Sequence, residues 1–139
     1  MIQKIVLSLL LFSAFFKVNA FANQQALSID RMIPENFELA YPNEQNLQPR
    51  KSDFAVINYA LMSNQAGERW AVVTVRNLAS GWRMLDQKHL LALTANGERI
   101  NPIDVEQHFK AGETLSLTIN FGEHKFPILS IYSRADSYK

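Results

Sequence analysis

The chain has 139 residues, with 14 lysines and arginines against 13 aspartates and glutamates, for a formal charge of +1. With the basic residues dispersed, that balance gives no electrostatic footprint for nucleic acid or anionic lipid. There is no cysteine, which excludes disulfide staples and a lipid anchor on an N-terminal cysteine, so stability has to come from packing.

The first segment is Met1-Ile2-Gln3-Lys4, then an apolar run over 5–16, then Ala20-Phe21-Ala22 before polar residues. A basic start, a short apolar core and small residues at a cleavage point predict a secretory signal peptide over 1–22. The run is shorter than the roughly 20 residues a spanning helix needs, and Lys17 interrupts it. An uncleaved anchor is the alternative, and cleavage after Ala20 would serve equally. Loss of Lys4 and Lys17 leaves a mature chain of about −1, long enough for one ordinary domain. Export without cysteine and without an Asn-x-Ser/Thr acceptor predicts a bacterial periplasmic or secreted protein, with no membrane span after cleavage.

Residues 23–51 contain Pro34, Pro42 and Pro49 and sustain no helical period, which predicts an irregular arm with one short edge strand at 37–41. A long strand is expected over 53–62, a turn over 63–68, and a central strand over 69–77, where three valines, a threonine and Trp70 form the densest β-forming run. Pairing Met62 with Arg69 sets Leu61 against Trp70, Tyr59 against Val72 and Ile57 against Thr74 on one face. Phe54, Val56, Ala60, Ala71, Val73 and Val75 then take the other. Both faces are apolar, so one lines the core and the other needs a cover, either the arm or a partner.

Beyond a loop at 78–81, a short strand is expected at 82–86 and another at 88–95. The latter ends in Asn96-Gly97, a hairpin signal that sets Ile100 against Leu93 and Pro102 against Leu91. Residues 105–109 are ambiguous between helical turn and strand. Leu115, Leu117, Ile119 and Phe121 then alternate with polar residues, the cleanest period of two in the chain. A turn over 122–125 is expected to return 126–133 against this strand, with Phe126 meeting Phe121, and the tail from 135 is expected to be loose.

About seven strands over 52–134 without a helix predict an all-β, two-sheet sandwich. Val73-Thr74-Val75-Arg76-Asn77, the Asn96-Gly97 hairpin and the stretch 111–119 resemble the small immunoglobulin-like domains of bacterial envelope proteins. The pattern is similar also to fibronectin-type modules, pilus-type chaperone domains and small sandwich inhibitors of bacterial proteases. It brings no motif whose residues carry over. A sandwich pattern without a catalytic or metal motif leads to the expectation of a non-enzymatic interaction module that binds another envelope or secreted protein, since fold analogy alone does not rank the possible functions.

Candidate chemistry is thin. His89, His108 and His124, with Met32, Met62 and Met84, offer a soft copper site, against the plainer reading of methionines as core filler. Asp86 and His89 suggest part of a triad, but no nucleophile elbow accompanies them. Asp104 and Glu106 share one strand face, as an acid and base pair would, and surface charge explains them as well. No catalytic residue and no cofactor are assigned. The candidate partner-binding residues are Ile57, Tyr59, Trp70, Trp82 and Arg83, because Trp, Tyr and Arg are enriched in interface hot spots. Trp70 reads first as a core or intersheet residue and only second as a docking one, whereas Trp82 reads equally as a plug beneath its loop. The alternatives to an interaction module are a protease inhibitor presenting 78–81 or 122–125, and a periplasmic copper binder.

Overall fold

The computed structural model describes residues 26–33 and 47–135. The expected signal peptide, the expected strand at 37–41 and the last four residues of the tail lie outside the described residues. In chain order the strands are β1 (Ser28–Ile33), β2 (Lys51–Ser52), β3 (Phe54–Ser63), β4 (Glu68–Asn77), β5 (Arg83–Asp86), β6 (Leu91–Thr94), β7 (Arg99–Ile100), β8 (Glu106–Phe109), β9 (Thr114–Glu123), β10 (Ile128–Tyr132) and β11 (Arg134–Ala135). The described residues are all-β, with no α-helix among them.

The valine-rich run forms β4, an interior strand of a four-stranded antiparallel sheet ordered β1-β3-β4-β9. Its Ala71, Val73 and Val75 are fully buried, while Trp70, Val72 and Thr74 on the opposite face are half-exposed. A second antiparallel sheet has the order β10-β6-β7, and β5 pairs with β8 as a separate ribbon. One core cluster joins them: Tyr59, Leu61, Val73 and Phe121 come from the first sheet, Ala92 and Ile131 from the second, and Leu85 and Phe109 from the ribbon. Phe109 packs edge-on against Phe54 with ring centroids 5.2 Å apart, the arrangement aromatic quadrupoles favour.

Several expectations need correction. The β3–β4 hairpin is shifted by one residue at its turn, with Ser63 opposite Arg69, Leu61 opposite Ala71 and Tyr59 opposite Val73. The cause lies in the turn: Gly67 takes φ +83 and donates to the Asn64 carbonyl at 3.1 Å, while the Asn64 side chain accepts from the Glu68 amide. A one-residue slip exchanges faces, so Tyr59 moves into the core. A bulge at Ile57 then restores the expected pairing of Val56 with Val75.

The Asn96-Gly97 hairpin forms, but through a three-residue loop in which Gly97 takes a φ of +83°; Thr94 donates its amide to the Glu98 carbonyl. Ile100 therefore meets Ala92, not Leu93. Of the strand expected over 88–95, Lys88 and His89 belong instead to a 3-10 turn, Gln87–His89, and the strand spans Leu91–Thr94. Residues 105–109 resolve as a strand, β8. Within the arm, 28–33 is a strand that no period of two announces, because a bulge at Asp30 breaks the alternation.

The largest correction concerns the last hairpin. β9 pairs with β4, and β10 crosses to the other sheet, where Ile131 meets Ala92. Alternation fixes which face of a strand is buried but not which strand it pairs with, so the sequence pattern suited both partners. The crossing segment is held by His124, whose amide donates to the Gly67 carbonyl and whose carbonyl accepts from Arg69 Nε. At the tail, Ala135 is not loose: β11 runs parallel to β2, with Ala135 opposite Ser52.

Candidate functional site

The register decides what the solvent side of the four-stranded sheet carries. Ile29, Met62, Trp70 and Asn120 form one rung across β1, β3, β4 and β9, and Met32, Ala60, Val72 and Thr118 form the next. Directly opposed residues share a face, so three strands contribute apolar side chains to one patch and β9 borders it with polar ones. Ile29 is 66% and Met32 74% exposed. The bulge at Asp30 brings both onto this face despite their three-residue spacing. The Trp70 indole N–H is buried, yet nothing among the described residues accepts its hydrogen bond.

The expected partner-binding residues do not converge. Trp70 is on the patch, but Tyr59 is on the opposite face of the sheet, in the core. Burial pushes the Tyr59 phenol up in pKa, with the Ile131 backbone and Arg31 pulling the other way. Its hydroxyl sits beside that backbone without hydrogen-bond geometry. Ile57 is the bulged residue of β3 and is half-buried. Trp82 and Arg83 lie past the far end of β4, seven residues from Trp70 at Asn77, which is about 24 Å along an extended strand. Two surfaces that far apart cannot form one hot spot.

Trp82 is 65% exposed, so it is not a plug beneath its loop. The loop is fixed instead by Asn77, whose fully buried amide donates to the Gly81 and Lys110 carbonyls and accepts from the Ala79 amide. Arg83 is tied down by Asp53, with Nε to Oδ2 at 2.7 Å. It braces the loop from outside.

The Asp86 and His89 pair is structural. Asp86 caps the 3-10 turn by accepting from the Lys88 amide, and His89 Nδ1 accepts the Asp86 amide at 2.9 Å. A ring nitrogen that accepts an N–H holds no proton, so the Asp86 carboxylate 3.3 Å away is not its ion partner. Burial lowers the His89 pKa, Asp86 raises it and Arg50 lowers it again. Asp86 pairs instead with Arg50 at 3.2 Å. Asp104 lies in a loop before β8 and Glu106 begins that strand. His124 Nε2 binds the Phe121 carbonyl, and His108 lies opposite Met84 across the β5–β8 ribbon. Among the described residues no group of three or more His, Asp or Glu is placed to hold a metal ion. Nor is any helix among them long and apolar enough to cross a membrane.

Sequence reasoning missed Ile29, Met32 and Met62 as members of this surface. Met62 was visible in the first strand but had no face until the turn set the register. No known protein family, curated protein or solved structure matches the chain.

Proposed function

We propose that this chain is an exported, non-enzymatic protein-interaction module of the bacterial envelope, built as an immunoglobulin-like sandwich, and that its docking surface is the outer patch centred on Trp70. The observation that carries the reading is the exposure of Ile29 and Met32 beside Met62, Trp70 and Val72 on one sheet face. Contiguous apolar surface fed by three strands is characteristic of interaction sites, whereas scattered exposed apolar residues are ordinary. Tryptophan and methionine supply large contact area and adaptable packing.

The strand order supports the sandwich. With β3, β4, β6, β7, β9 and β10 taken as A, B, C, C′, E and F, the neighbours A-B-E and F-C-C′ are those of an immunoglobulin domain, all antiparallel. β1 extends the A edge. The N-terminal sequence supports export.

The test is affinity capture of a C-terminally tagged chain from producing cells after mild crosslinking. The expected result is a stoichiometric envelope protein that is retained by the native sequence and lost with Met62→Glu. Capture of nothing, or of a partner indifferent to Met62→Glu and Met32→Glu, would overturn the assignment.

A further inference from the structure

Stable monomers protect sheet edges with short or bulged strands, charges, prolines or covering segments. Three edges here are protected in this way. β1 has six residues, a bulge at Asp30 and the charges of Asp30 and Arg31. β10 has five residues and a bulge at Leu129, whose carbonyl accepts from Arg31 Nη2 at 2.9 Å. β7 has two residues and is followed by Asn101-Pro102.

β9 is different. It has ten residues, with no charge and no proline over 114–122, and among the described residues β4 is its sole strand partner. Its two ends show which groups lack a strand partner among the described residues. The Glu113 carbonyl points toward β4 and accepts from the Asn77 amide, while the Asn120 carbonyl points outward and accepts from the Ile103 amide at 2.9 Å. Antiparallel alternation between them leaves the N–H and C=O groups of Thr114, Ser116 and Thr118 on the open edge. On the inner face of this edge Leu115 and Leu117 touch the core cluster yet are only half-buried.

We propose that two copies of this chain pair antiparallel through β9, about a two-fold axis at Ser116, into one continuous eight-stranded sheet. In this register Ser116 faces its own counterpart, Thr114 faces Thr118, and Leu115 faces Leu117. Hydroxyls therefore meet on the outer side and leucines on the inner, with no like charges opposed. The paired stretch stops short of Asn120, where Ile103 occupies the edge. At the flanks, Asp104 follows Ile103 at one end of the edge, Lys110 and Glu113 precede the other, and the two-fold axis brings these ends together. This surface is separate from the Trp70 patch, and the pairing sets both copies' patches on the same side of the joined sheet.

The chain's lack of cysteine makes the test clean. Ser116→Cys places two thiols across the axis at a Cα separation of about 5.5 Å, within the range a disulfide spans. Mild oxidation of the mature chain is expected to link Ser116→Cys rapidly into covalent dimers. A control Asn58→Cys, exposed on β3, is expected to link far more slowly. Sedimentation should show the native chain as a dimer, weakened severalfold by Ser116→Lys and restored by mixing Ser116→Lys with Ser116→Asp. A native chain that sediments as a monomer at every concentration, or Ser116→Cys linking no faster than Asn58→Cys, would overturn the proposal. The cysteine comparison decides the matter even if Ser116→Lys does not fold.

Discussion

The two faces of the four-stranded sheet are made by the same strands, and they differ in how they are closed. On the inner face, Tyr59, Leu61, Val73, Val75 and Ile119 are sealed by the second sheet and the β5–β8 ribbon. On the outer face, Met62, Trp70 and Val72 have equivalent chemistry but only half the cover, and Ile29 and Met32 beside them have less. Burial follows from what lies opposite a side chain, not from its hydrophobicity. An apolar face that no layer covers among the described residues is therefore the feature that a binding role explains.

The sharpest way to break this contrast is to truncate one aromatic on each face. Tyr59→Ala should lose about 3–5 kcal/mol by opening a cavity in the core, against about 1 kcal/mol for Trp70→Ala, whose neighbours are already wet. Chemical denaturation of the two variants measures both, and equal losses would place Trp70 in the core. Next in size is Asn77→Ala, which removes three hydrogen bonds and strands the buried groups of the loop that presents Trp82. A loss of roughly 2–3 kcal/mol is expected, together with a change in Trp82 fluorescence.

A smaller effect concerns pH. His89 is depressed in the fold by burial, so the unfolded chain binds the proton more readily. Stability is then full above the unfolded histidine value of about 6.5 and falls as pH drops from there through the lower folded value. Thermal unfolding between pH 7 and 5 should show this decline. His89→Gln, which keeps an acceptor for the Asp86 amide, should flatten it. The smallest effect on stability belongs to Met32→Glu, within about 0.5 kcal/mol, although it should abolish partner capture.

The sequence made some of this legible. The central position of β4, the polar outer face of β9 and the all-β class followed from β-branched residues and a period of two. The face that Tyr59 takes was not legible, because one residue in the Asn64–Gly67 turn sets the register, and a one-residue slip exchanges the faces of every side chain up to the bulge at Ile57. The partner of β10 was hidden for a related reason: Ile128 and Ile131 suit either sheet. Ile29 and Met32 were masked by a bulge that turns a three-residue spacing into a shared face. Bulges and turn lengths are backbone events, and the alternation rule carries no record of them.

Methionine oxidation footprinting tests the central claim most directly, since Met32 and Met62 belong to the outer patch while Met84, 45% exposed, lies beyond the other end of β4. Mild peroxide converts accessible methionines to sulfoxides, which mass spectrometry reads site by site. In the purified chain Met32 and Met84 should oxidise at similar rates. In intact producing cells Met32 and Met62 should be protected while Met84 stays reactive. Met32 reacting as fast in cells as in the purified chain would contradict the account.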